Sequence, residues 1–145
     1  MSERKSETRS VVVERELPHA PEKIWRALTH PRLIEEWLMK NDFAPVVGHR
    51  FNLRNNPRPD MNIVLDCQVL EVEPNKKLSY TWNFDDAANG LISVVTFTLT
   101  PTRNGTHLRM EQTGFRPEQP QNYRGAMAGW HRFFAKLEEV LAREG

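Results

Sequence analysis

At 145 residues the chain fits one domain, which most often holds about 100–150 residues and can bury a sizeable core at that size. A formal net charge of +1, with charged residues at 27%, gives no reason to expect nucleic acid, an anionic membrane surface or a polyacidic substrate. Cys67 is the lone cysteine, no apolar run approaches the roughly 20 residues of a membrane span, and MSERKSETRS lacks a secretory apolar region; a disulfide framework and membrane insertion are excluded, and a reducing cytoplasm is the expected home.

Met1 to Arg9 is charged, hydroxyl-rich and without period, and is expected to be a flexible tail preceding one domain over residues 10–145. Val11, Val13, Arg15 and Leu17 then share one face of a period-two run, with Val12, Glu14 and Glu16 on the other. That alternation predicts a strand with one side covered, and Arg15 stands out on the apolar side. Pro18 and Pro21 stop it, and Pro21 suits the first turn of a helix reaching about Leu28. His30-Pro31 breaks that helix, and Leu33, Ile34, Trp37 and Leu38 recur at helical spacing in a second short one.

Period two returns after Phe43, with Phe51 and Leu53 following Gly48, a residue expected at a turn or bulge. The run NNPRPDMN reads as a loop, after which Ile63, Leu65, Cys67 and Val69 alternate along a longer strand closed by a turn at Pro74–Lys77. Leu78, Tyr80, Trp82 and Phe84 give the next strand an aromatic face. Beyond an acidic loop, Asp85–Gly90, come Val95, Phe97 and Leu99 in another strand. Asn104-Gly105 predicts a hairpin with positive-φ residues, and Leu108, Met110 and Gln112 mark the inward side of the last strand. The final segment, from near Pro120 to about Arg143, carries Met127, Trp130, Phe134, Leu137 and Leu141 at steps of three and four, widened by Phe133 and Val140. Such a helix would be roughly 36 Å long and needs a partner surface, which the preceding strands supply. Gly125 and Gly129 are expected to let it approach the sheet. The predicted class is therefore α+β: a curved antiparallel sheet wrapped around one long C-terminal helix, the helix-grip shape.

Particular residues sharpen this. The stretch Ala20 to Thr29 (APEKIWRALT) with Trp37-Leu38, the block Val69–Pro74 followed by Leu78–Trp82, the strand Val94–Leu99, and Gly129-Trp130 together resemble the C-terminal domain of the activator of the 90-kDa heat-shock protein ATPase. The resemblance covers roughly Ser10 to Leu141 and implies a START-like (SRPBCC) fold, whose members mostly hold hydrophobic ligands between sheet and helix. His30 stands where the family usually places an acidic helix cap before Pro31. A co-chaperone role is not implied, because the eukaryotic activator carries a further N-terminal domain.

The rings of Tyr80, Trp82, Phe84 and Phe97 are expected to face Trp130 and Phe134 across a shared interior. Aromatic walls with a few polar anchors suit a small-molecule pocket, and the alternative is that they fill the core. The candidate ligand-binding set is Trp37, Phe51, Leu65, Tyr80, Trp82, Phe84, Val95, Phe97, Met110, Gln112, Trp130 and Phe134, with Arg15 as a polar anchor. Arg15, Glu71, Glu111 and Gln112 are the polar residues the pattern places nearest the interior. Arg15 is expected to pair with a glutamate of a neighbouring strand near the rim, or with a ligand head group.

The five histidines show no i, i+4 pair and no cysteine partner, so neither metal nor cofactor is expected. Cys67, on the face of Leu65 and Val69, reads as buried and inert. There is no nucleophile elbow, P-loop or dinucleotide fingerprint. The leading expectation is a non-enzymatic binder of a hydrophobic or aromatic small molecule, lipid-like or polyketide-like. Two others stand beside it: a cyclase or hydrolase built on a pair such as Arg15 and Glu111, and a protein-interaction role through a chaperone or a homodimer.

Overall fold

The computed structural model describes residues 9–84, 92–115 and 120–144. Strand β1 (Arg9–Leu17) leads into helices α1 (Pro21–Thr29) and α2 (Pro31–Trp37). Then come β2 (Lys40–Asn41), β3 (Arg50–Arg58), β4 (Met61–Glu73), β5 (Lys77–Phe84), β6 (Ile92–Thr102), β7 (Gly105–Phe115) and the long helix α3 (Pro120–Glu144). The strands form one curved sheet in the order β1-β7-β6-β5-β4-β3-β2, with every neighbouring pair antiparallel. The chain's alternation fixes which face turns inward: Val11, Val13, Leu65, Cys67, Val69, Tyr80, Val95, Phe97, Leu108 and Met110 are all buried. Helix α3 lays Trp130, Phe134, Leu137, Val140 and Leu141 over them, and α1 and α2 close the remaining side with Ile24, Leu28, Ile34 and Trp37. Burial of a side chain of this size stabilises by about 1.5–3 kcal/mol.

Each short helix begins at a proline whose missing N–H would have had no partner there. His30 ends the first and caps the second in extended backbone without a side-chain cap bond. In place of the carboxylate cap that the resemblance implied, the backbone carbonyl of His30 alone accepts from Ile34 N–H. Strand β2, too short to announce itself by alternation, is held by Asn41, whose amide donates to the carbonyls of Pro31 and Met39 while its Oδ1 accepts from the N–H of Phe43.

Three local expectations change. The run NNPRPDMN is not an open loop: β3 continues to Arg58, and a tight turn at Pro59 and Asp60 returns directly into β4, with Pro57 placed where the register shifts between Asn55 and Arg58. At the β6–β7 hairpin the turn is Arg103-Asn104, and neither Asn104 nor Gly105 has positive φ. Gly105 is required instead by close approach, since a Cβ there would lie 2.0 Å from the Leu17 carbonyl oxygen. Gly48 does sit in a turn as expected, its backbone left-handed at φ 91°, and its N–H donates to Val69 O. Gly125 and Gly129 do not mediate a close approach, because a Cβ at either would meet no described atom within 4 Å.

The acidic segment expected as a loop at Asp85–Gly90, the tail up to Glu7-Thr8, and the side chain of Phe84 lie outside the described residues.

Candidate functional site

The interior is a layer of rings. Trp82 of β5 and Trp130 of α3 face each other with centroids 5.1 Å apart. Phe97 meets Trp130 edge-on at 5.8 Å and Trp37 at 6.3 Å, and Tyr80 lies 6.1 Å from Phe97 and 5.1 Å from Phe51. Edge-to-face pairs at these separations each add about 0.5–1.5 kcal/mol to the area they bury. Leu65, Val95, Met110 and Phe134 complete the same buried group. These candidate residues are thus brought together, and their rings pack on one another.

Gln112 is the polar centre of this layer, 1% exposed. The Trp130 indole N–H donates to its Oε1 at 2.8 Å, its own Nε2 donates to Ser93 Oγ at 3.0 Å, and that hydroxyl donates to the Trp82 carbonyl at 2.6 Å. Among the described residues no buried side-chain nitrogen or oxygen lacks a hydrogen-bond partner, which is what lets polar atoms remain in an apolar interior. Trp37 is tied in the same way, its indole N–H donating to the Ala27 carbonyl at 2.9 Å. Burial, aided by the nearby Cys67, holds the Tyr80 phenol well above its usual pKa. The Cys67 thiol is also pushed up, by burial first and by Asp66 and Asp42 after it.

Of the four polar residues the pattern placed near the interior, only Gln112 is inside. Arg15 lies at the rim: its Nε bonds Glu138 at 3.3 Å, another guanidinium nitrogen donates to His131 Nδ1 at 3.2 Å, and the cation sits 5.8 Å from the Phe134 ring centre. Its glutamate comes from α3, not from a neighbouring strand, because the helix runs along β1 at this edge. Glu111 alternates with Met110 and Gln112, so it faces outward and pairs with Arg109 at 3.1 Å. A register shift between Val69 and Glu71 inserts one residue into β4, which leaves Leu70 exposed and Glu71 facing outward toward Lys77 at 3.3 Å. The Arg15–Glu111 pair on which the cyclase or hydrolase expectation rested is therefore not formed; Arg15 stands opposite Leu108.

At the edge of the ring layer the fold opens a cleft of about 910 Å³ between α2, the β2–β4 end of the sheet and α3. Leu38, Met39, Ile63 and Phe133 supply its apolar lining, and Glu35, Lys40, Arg54, Asn55, Arg132 and Lys136 its polar lining. Phe133 also touches Trp130, at 5.4 Å between centroids, so the cleft adjoins the buried layer directly. None of this lining belongs to the candidate set read from the sequence. The available signal was Phe133 beside the helix stripe, flanked by Arg132 and Lys136 four residues apart.

A seven-stranded antiparallel sheet gripping a C-terminal helix, with two short helices inserted after the first strand, defines a START-like helix-grip protein. The sequence places it more closely. Residues 18–142 match the model of the Activator of Hsp90 ATPase homolog 1-like protein family, and the chain belongs to that family. Protein MLL2253 from Mesorhizobium loti is 65% identical, with a TM-score of 0.86 over 94% of this chain and 99% of that one. The Q3J4M4_RHOS4 protein from Rhodobacter sphaeroides is 25% identical, with a TM-score of 0.80 over 92% of each chain. DynU16, a protein in the dynemicin biosynthetic locus, is likewise 25% identical, with a TM-score of 0.77 over 92% of this chain and 47% of that one. No curated protein matches. Among the described residues, no helix is long and apolar enough to cross a membrane.

Proposed function

We propose that this protein binds a hydrophobic or aromatic small molecule, lipid-like or polyketide-like, between the sheet and the C-terminal helix. The observation that carries the reading is the cleft of about 910 Å³ over Leu38, Met39, Ile63 and Phe133. Small-molecule sites occupy clefts of about 300–1,000 Å³ lined by apolar side chains with a few polar groups. The fold supports the reading, and so does the likeness to DynU16, which is encoded among biosynthetic functions. In this reading residues 10–145 act as one domain in the cytoplasm. The packed rings of Trp82, Phe97 and Trp130 lie behind Phe133, and they yield further space only by moving.

Methyl and aromatic-ring chemical shifts recorded against a panel of lipids and polyketides test this. Shifts concentrated at Met39, Ile63, Phe133 and Trp130 are the expected result. A panel that leaves these resonances unmoved, with only free protein in native mass spectra, would remove the reading.

One observation favours a second role. Val46 and Val47 are 59% and 62% exposed, and the bond from Gly48 N–H to Val69 O holds their loop close to the exposed Leu70. Apolar side chains gathered on an outer surface suit a protein contact, including a homodimer. Light scattering on the wild type and on Val47→Ser distinguishes a dimer from a monomer.

A further inference from the structure

The charges around the cleft are arranged against the interests of folding. Lys40 and Arg54 are direct cross-strand partners in the β2–β3 register, and like charges placed opposite one another destabilise a sheet. Arg132 and Lys136 stand four residues apart on α3, where a like-charge pair destabilises a helix. Both pairs border the same cleft, one on the sheet side and one on α3, and Lys40 and Arg54 also border a smaller depression beside Asp42. Glu35 is the one carboxylate among the described lining residues, so four cations face it in a chain whose formal net charge is only +1. Outside the cleft the described cations are mixed: Arg15, Lys77, Arg109 and Arg143 pair with carboxylates, whereas Arg26, Arg32 and Lys76 have no ion pair with a described residue. Lys40, Arg132 and Lys136 have no ion pair with any described residue. Arg54 donates to the Asn52 amide oxygen at 3.3 Å, a neutral partner.

Two unfavourable pairs converging on an apolar-lined cleft make sense if a negative charge completes the set. We propose that the ligand is an amphipathic organic anion. Its carboxylate lies among Lys40, Arg54, Arg132 and Lys136, and its aliphatic or aromatic body lies over Leu38, Met39, Ile63 and Phe133. The carboxylate relieves both repulsions at once and gains charge-assisted hydrogen bonds from either side. The apolar body supplies the area term that charge alone lacks. This inference rests on the small-molecule reading above and adds the sign of the charge to it.

Decanoate, 1-decanol and decylammonium share one tail and differ in head charge, and their binding to the full chain, below micelle-forming concentrations, separates the two ideas. Calorimetric titration should show decanoate binding at least about tenfold more tightly than decanol, with decylammonium weakest and the decanoate advantage shrinking as salt is raised. The double variant Arg132→Gln/Lys136→Gln, made at two exposed positions, should shrink the advantage of decanoate over decanol severalfold, and an advantage that stays whole in this variant overturns the anion inference. Lys40→Gln tests the sheet side in the same way. Equal affinity of decanoate and decanol for the wild type overturns the anion inference and leaves the small-molecule reading standing. Failure of all three to bind, with no shift at Met39 or Phe133, overturns both.

Discussion

The indole nitrogen of Trp130 lies 2.8 Å from the side-chain oxygen of Gln112, and this hydrogen bond joins α3 to the sheet at the centre of the aromatic layer. Both residues are 1% exposed, so neither polar atom can turn to water if its partner is lost. Gln112→Leu leaves the indole N–H unpaired and should destabilise the fold by about 1–3 kcal/mol. Trp130→Phe leaves the amide oxygen unpaired and also opens space beside Trp82. Because each single change orphans what the other removes, the double variant should cost less than the sum of the two. Urea unfolding of the four proteins reads the coupling; strictly additive losses would show that the bond contributes nothing of its own.

Two glycines should respond to alanine in opposite directions. At Gly105 a Cβ would fall 2.0 Å from the Leu17 carbonyl oxygen and 2.9 Å from the His19 nitrogen, both backbone atoms that cannot step aside. Gly105→Ala should therefore force the β6–β7 hairpin away from the end of β1 and lower the melting temperature. At Gly129, inside α3, a Cβ meets no described atom within 4 Å. Gly129→Ala should stabilise the helix by about 0.5–1 kcal/mol. Thermal melts of the two variants settle both signs, and a rise for Gly105→Ala would contradict the close approach.

These two positions also show where a sequence stops being readable. The strands other than β2, the three helices and the facing of Trp82 and Trp130 are visible in the chain because side-chain period reports burial directly. Asn104-Gly105 looks like a positive-φ turn, yet the constraint on Gly105 comes from Leu17, which lies far away in the chain and adjacent only once β1 pairs with β7. The same limit hid the partner of Arg15, since Glu138 is 123 residues distant. Glu71 was misplaced because one inserted residue reverses the phase of a strand, and nothing in its composition marks the insertion. The cleft was missed for a related reason. Lys40, Arg54, Arg132 and Lys136 each read as an ordinary solvated charge, and only the fold sets them around one opening.

Cys67 is 4% exposed, and its thiol is held far above its ordinary pKa, chiefly by burial, with the carboxylates of Asp66 and Asp42 adding to the effect. A thiol in that state supplies almost no thiolate, which is the species that attacks disulfides. Native protein should therefore leave Ellman's reagent uncoloured over hours at pH 8, and release one equivalent promptly in denaturant. Prompt native reaction would mean that β4 opens on the timescale of the assay.

His107 gives the pH dependence a definite direction. On the outer face it bonds Glu16 through Nδ1 and Glu14 through Nε2, the latter at 2.6 Å, as the pairing of Glu14 with Arg109 and Glu16 with His107 across β1 and β7 allows. The hydrogen bonds to Glu16 and then Glu14 raise its pKa above the usual value near 6.5, because both carboxylates favour the imidazolium over the neutral ring. A group whose folded pKa is raised lends its stabilisation in full below the unfolded value, and loses it as pH climbs through the folded one. The melting temperature should thus fall on passing from about pH 6 to above the folded pKa of His107, and His107→Gln should remove that part of the slope. Glu16→Gln should lower the imidazole pKa, measured by its proton shifts, toward the value of a free histidine. If the His107 resonance titrates at or below that value in the wild type, the two carboxylates do not hold the ring as described.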